Sequence, residues 1–121
     1  MALVLIVDDS PTEQHVFCEM LEKHGFETIV ASDGEEAIYT AERVQPAAII
    51  MDIVMPRMNG YQATRKLTTQ LSTKSIPVVM LSTKGQATDR IWGLRQGAVE
   101  YLVKPVSSDL LVTTVMTVLA Q

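Results

Sequence analysis

The sequence predicts an α/β protein built as a doubly wound parallel sheet of five strands, with helices on both faces. Two observations carry that expectation. Five short apolar runs, at residues 3–7, 28–31, 48–51, 78–81 and 101–103, are continuous rather than alternating and rich in β-branched residues, which suits strands buried on both faces. Each run is followed by a longer mixed segment with helical spacing and cap residues, and strand–helix–strand repetition implies right-handed crossovers within one sheet.

Taken in order, the segment after the first run opens with Ser10-Pro11-Thr12-Glu13, which offers an N-cap, a proline at the first helical position and a capping-box glutamate. It closes at Gly25. A second helix follows Asp33-Gly34, turns Ala37, Ile38 and Ala41 inward, and ends before Pro46. A third is expected over residues 60–71, and a fourth over 88–96, stopped by Gly97. The last begins near Ser107 or Ser108 and carries Leu110, Leu111, Val115, Val118 and Leu119 at helical spacing.

The bulk numbers narrow the function. A chain of 121 residues fits one domain with one core and needs no disulfide or structural metal. Cys18 is the single cysteine, and its neighbours Val16, Phe17, Met20 and Leu21 point to a buried thiol. A formal charge of −4 argues against nucleic acid as a direct partner, because phosphate backbones are bound by basic surfaces. The apolar N-terminal run is short, lacks a basic leader and runs into two aspartates, so it is not a signal peptide, and no run approaches the ~20 residues of a membrane span. A cytoplasmic location and no membrane insertion are expected.

Ligands of open parallel sheets bind beyond the carboxyl ends of the strands. Here those ends carry Asp8-Asp9, Ala31-Ser32, Asp52, Ser82-Thr83 and Lys104-Pro105. Three carboxylates brought together repel one another unless a cation sits among them, and Mg²⁺ suits an oxygen donor set of this kind. A carboxylate can form an acyl phosphate, while a metal, a lysine and a hydroxyl neutralise or bind the transferred oxygens. On this reading Asp52 is the nucleophile, Asp8 and Asp9 bind Mg²⁺, Lys104 contacts the phosphoryl group and Ser82 donates to it. Taken singly, an aspartate after a strand is ordinarily a helix N-cap, which Asp9 could be, a serine a turn residue and a lysine solvated surface. Their joint occurrence at matching strand ends is what carries the argument.

These residues lie in motifs: Ile6-Val7-Asp8-Asp9-Ser10, Met51-Asp52-Ile53-Val54-Met55-Pro56-Arg57-Met58-Asn59-Gly60, Pro77-Val78-Val79-Met80-Leu81-Ser82 and Tyr101-Leu102-Val103-Lys104-Pro105. In their order and spacing the chain resembles the receiver domain of two-component response regulators over essentially its whole length. The resemblance implies a flavodoxin-like sheet of order 2-1-3-4-5 and one receiver domain over 1–121 with no output domain. It implies that Asp52 accepts phosphate from a histidine kinase or a small phosphodonor, and that Asp8, Asp9, Asp52 and the backbone carbonyl of Val54 bind the metal. Ser82 and Tyr101 would form the switch pair, the hydroxyl moving toward the phosphoryl group and the ring turning inward. The Lys104–Pro105 bond is expected to be cis. Such a protein is not a turnover enzyme and catalyses only its own phosphorylation and dephosphorylation.

Departures from the family pattern fall at Val54, where a polar residue is common, at Lys84, which is basic two residues after Ser82, and at Asn59, where aspartate is also common. The first two leave the phosphorylated lifetime open. Trp92-Gly93 and Arg95-Gln96-Gly97-Ala98 give a narrower resemblance, to single-domain regulators of chemotaxis-like systems that control type IV pili, twitching motility and cyanobacterial phototaxis. That implies a chemotaxis-like histidine kinase, a downstream motility protein, and a monomer or weak dimer. Family contacts use the fourth helix, fifth strand and fifth helix, which puts Trp92 and Tyr101 forward as contact residues, whereas His15 and His24 are expected on the surface of the first helix.

Two other classes fit less well. A haloacid-dehalogenase-like phosphatase needs an aspartate two residues after its nucleophile, and that position is Val54. A flavin or nucleotide carrier needs a glycine- or hydroxyl-rich phosphate loop after the first strand, where this chain has Asp8-Asp9-Ser10-Pro11. Within the receiver family, a phosphate sink for a shared kinase and a phosphorylation-independent binding module are the alternatives.

Overall fold

A computed structural model describes residues 2–121. Strands β1 (Leu3–Val7), β2 (Glu27–Ala31), β3 (Ala48–Met51), β4 (Val78–Ser82) and β5 (Glu100–Val103) alternate with helices α1 (Pro11–Glu22), α2 (Gly34–Val44), α3 (Gly60–Thr69), α4 (Ala87–Arg95) and α5 (Ser108–Leu119). All strand pairs are parallel, in the order β2-β1-β3-β4-β5. The doubly wound sheet and its strand order are therefore as expected.

Successive side chains of a strand face opposite sides, which gives the sheet two apolar faces. Val4 and Ile6 pack with Phe17 and Leu21 of α1 and Leu111, Val112 and Val115 of α5, while Leu5 and Val7 pack with Ala37, Ile38 and Ala41 of α2 and Ala63 and Leu67 of α3. A smaller cluster of Ile53, Met80, Ala98 and Tyr101 lies beside α4, with Tyr61 of α3 against it. Only Gly93 of α4 is buried, so this helix is the least anchored of the five.

Four local expectations need correction. The edge strands are not buried on both faces: β2 has Val30 exposed and β5 has Val103 exposed, because each has a neighbour on one side only. Leu110 faces solvent and Val112 takes the inward position on α5. Helix α3 ends at Thr69 rather than 71, leaving Leu71 in a turn and 82% exposed. Cys18 is half-buried at the margin of the α1 core, beside an exposed Val16. Gly25 (φ 88°) and Gly97 (φ 110°) do follow helix ends in the left-handed region, where a side chain would be strained.

Parallel register brings the strand ends level. Val7 lies opposite Ala31 on one side and Met51 on the other, and Met51 lies opposite Met80. The chain leaves β1 for one edge and returns at β3 toward the other, so the reversal of strand order falls between the ends that carry Asp8 and Asp52.

Candidate functional site

Asp8, Asp9 and Asp52 each offer a carboxylate oxygen within 4.8 Å of the others. Asp8 and Asp52 are buried and Asp9 is exposed at the rim. Asp9 does not cap α1, because Ser10 does: its side chain accepts from the Glu13 amide at 3.3 Å. The capping box expected from Glu13 is not closed. The Ser10 N–H donates instead to Asp8 Oδ1 at 2.9 Å, and Glu13 turns its carboxylate to Lys104 at 3.4 Å. Helix α1 is thus fastened to the acidic cluster at its first turn. Gln14 adds a second tie, donating to the Asp8 carbonyl at 2.6 Å and to Ser32 Oγ at 3.1 Å.

Lys104 reaches in from the end of β5. Its Nζ lies 2.9 Å from Asp8 Oδ2 and 3.6 Å from Asp52 Oδ1, and 5.6 Å from the centre of the Phe17 ring. The Lys104–Pro105 peptide bond is cis. Burial lowers the ammonium pKa, but the hydrogen bond to Asp8 and then the charges of Asp52, Asp8 and Glu13 outweigh it and leave the group above its ordinary value. Lys104 is therefore a fixed cation.

Burial pushes the Asp52 carboxyl up from 3.8 to about 6, and Asp8 and Asp9 add to the rise. Lys104 and the Ile53 N–H oppose it, the latter donating to Asp52 Oδ1 at 2.8 Å. Lys104→Ala is accordingly expected to move the Asp52 titration above about 6, as read by side-chain carboxyl NMR; an unmoved titration would mean that solvent, not Lys104, screens this carboxyl.

Ser82 ends β4, fully buried, and its Oγ accepts from the Lys84 N–H at 3.3 Å. The Lys84 carbonyl in turn accepts from the Tyr101 hydroxyl at 2.6 Å. Lys84 thus joins the two, its N–H to the site hydroxyl and its carbonyl to Tyr101, whose ring already lies inward and buried. Tyr101 therefore gives its ring to the core, while Trp92 on α4 remains half exposed. Val54 holds its side chain out to solvent beside the site. His15 and His24 are exposed on α1 and in the turn that follows it.

The structure brings Asp8, Asp9, Asp52, Lys104 and Ser82 to one end of the sheet. The sequence reading missed Glu13, Gln14 and Tyr61, whose places depend on partners across the fold. The donor set, three hard carboxylate oxygens around one lysine, fits Mg²⁺ better than a softer metal.

Fold and site together define a signalling receiver, and the family profile of the response regulator receiver domain matches residues 4–116. The chain belongs to that family. Over 120 residues it is 50% identical to Protein PilH of Pseudomonas aeruginosa, a match covering 99% of each chain. It spans about half of several longer relatives, among them the phosphate regulon transcriptional regulatory protein PhoB of Escherichia coli, at 34% identity over 96% of this chain and 51% of that one. Its fold matches chemotaxis protein CheY4 of Vibrio cholerae, with a TM-score of 0.91 and 34% identity over 98% of both chains. It also matches the receiver domain of sensor histidine kinase PA1611 of P. aeruginosa, solved with a magnesium ion coordinated in its active site cleft, with a TM-score of 0.92 and 31% identity over 99% and 98% of the two chains. Among the described residues no helix is long and apolar enough to cross a membrane.

Proposed function

We propose that this chain is a phosphoryl-accepting switch in a chemotaxis-like pathway controlling type IV pili or phototactic motility. The observation that carries the reading is the convergence of Asp8, Asp9 and Asp52 on Lys104 and Ser82. A carboxylate oxygen of Asp52 attacks the phosphorus of a kinase phosphohistidine. The new O–P bond forms as the P–N bond breaks, and the histidine nitrogen leaves with the electron pair. Lys104 holds positive charge beside Asp52, and Ser82 donates its hydroxyl to a phosphoryl oxygen once it turns from the Lys84 amide. Asp8, Asp9, Asp52 and the Val54 carbonyl would hold Mg²⁺, which supplies charge neutralisation for the transferred oxygens. The downstream step is a change of protein contact at the surface of α4, β5 and α5, with Trp92 as a contact residue. The pathway assignment is supported by the Trp92-Gly93 and Arg95-Gln96-Gly97-Ala98 motifs and by the identity to PilH. The location consistent with such a partner is the cytoplasm.

Acetyl phosphate with Mg²⁺, followed by intact mass, tests the reading. A single phosphate adduct is expected that requires Mg²⁺ and is lost in Asp52→Ala. Absence of the adduct together with absence of beryllofluoride binding would overturn it.

A further inference from the structure

The Tyr101 ring sits in a seat whose walls come from three elements. Met80 of β4 and Ala98 lie against it, Tyr61 of α3 packs on the same cluster, and Gly93 of α4 closes the far side. A methyl group at Gly93 would lie 2.6 Å from Met80 Sδ and 3.0 Å from Tyr101 Cδ2, so a side chain there would displace Met80 and press on the inward ring. Tyr61 donates its hydroxyl to the Asp89 carbonyl in the first turn of α4 at 3.3 Å, which links α3 to the least anchored helix. Arg90, the next residue, donates to the Tyr101 carbonyl at 3.1 Å. Burial, followed by the neighbouring Tyr61, raises the Tyr101 pKa well above its ordinary value.

We infer that Tyr61 is a positioning residue for Tyr101: with the bare Gly93 it holds the Tyr101 ring inward, so that α3 sets the resting balance of the switch. The consequence for signalling rests on the proposed function. The seat does not, because it is a matter of packing. Loss of Tyr61 lets the ring leave and frees the carbonyl of Lys84, the residue whose N–H holds Ser82 Oγ. Among the described residues no hydrogen bond or ion pair joins Tyr61 to Asp8, Asp9, Asp52 or Lys104, so its effect on Asp52 is indirect.

The full-length chain labelled with 3-fluorotyrosine tests this by ¹⁹F NMR. There are three tyrosines, of which Tyr39 is 60% exposed and supplies the solvent reference, and Tyr101→Phe assigns the line of interest. In the unmodified chain Tyr101 is expected to show a buried shift and a weak response to exchange of H₂O for D₂O. Tyr61→Leu is expected to carry the Tyr101 line toward the Tyr39 values, and Gly93→Ala to do the same. Tyr61→Phe keeps the ring and loses the bond to α4, and is expected to change the inward-to-outward ratio only about two- to tenfold. A Tyr101 line unmoved in Tyr61→Leu, with the fold intact by circular dichroism, would overturn the inference, and a simple loss of stability would not move that line in the folded protein. All spectra are taken without a phosphodonor. Failure of Asp52 to accept phosphate would therefore leave the result standing, and an unmoved Tyr101 line would leave the Asp52 chemistry standing.

Discussion

Asp52→Asn is expected to raise the midpoint of thermal unfolding at neutral pH in metal-free buffer, and to abolish the further rise expected of the unaltered chain with Mg²⁺. The reason is that Asp52 is held where its charge is unwelcome. A carboxyl whose pKa rises from 3.8 to about 6 on folding opposes folding by at most about 3 kcal/mol at neutral pH. The site opens to solvent beside Asp9 and Val54, which screens that cost to about half. Asparagine keeps an oxygen for the Ile53 N–H and removes the repulsion with Asp8 and Asp9. Lys104 loses a partner at 3.6 Å but retains Asp8 at 2.9 Å. For a domain of this size the gain corresponds to a shift of about 3–8 °C.

The sign fixes the pH window. The folded state holds the Asp52 proton more tightly than the unfolded chain, so the favourable contribution of this group is full below about pH 4 and is lost as pH rises through about 6. The midpoints of Asp52→Asn and the unaltered chain should therefore diverge between those values. Lys104, also raised, contributes stability that is lost only at alkaline pH, above this window. Mg²⁺ at about 100 times its dissociation constant would return roughly 2.7 kcal/mol to the chain that binds it. Calorimetry across that pH range, with chelator and then with Mg²⁺, checks both halves. Equal midpoints in chelator would mean that Asp52 is already neutralised by Lys104.

Much of this site was legible because a strand buried on both faces announces its own end. The apolar run stops, and whatever follows at Asp8, Asp52 or Lys104 stands at the carboxyl edge of the sheet. What could not be read were distances between residues remote in sequence. Lys104 meets Asp8 across 96 positions and Glu13 across 91, and nothing local to Glu13 separates a capping glutamate from one that turns to a lysine on the last strand. Strand order was likewise not in the periodicity: it came with the family resemblance, and with it the knowledge that β2 and β5 are edges. Val30 and Val103 look like core from spacing alone, and their exposure follows from the neighbour each edge strand lacks, while Leu110 faces solvent because α5 turns Leu111 and Val112 inward. Tyr61 carries no local signal, since its role exists only where α3, α4 and β5 meet.

Gly60→Ala should be among the most damaging single substitutions in the molecule. Gly60 opens α3, and its N–H donates to the Ile53 carbonyl at 2.8 Å, closing the loop that follows Asp52. A methyl group there would fall inside the contact distance of the Asp52 carbonyl oxygen, 2.7 Å from Ile53 Cα and 2.8 Å from the Asp52 carbonyl carbon. These are backbone atoms of the segment that positions Asp52, so they cannot swing aside as the end of a side chain would. Relief requires α3 or Asp52 to move, at a cost of about 3 kcal/mol or more. Displacing Asp52 by about 1 Å is expected to slow phosphorylation by about 100-fold even in the molecules that remain folded. Urea unfolding measures the first effect and the rate of adduct formation the second. Gly85→Ala serves as the comparison, because its nearest neighbour is the Val103 Cγ1 methyl at 3.3 Å, on an exposed side chain that can give way. Equal midpoints for the two variants would show that the backbone around Asp52 yields freely, and the rigid placement of Asp52 argued from this close approach would fall.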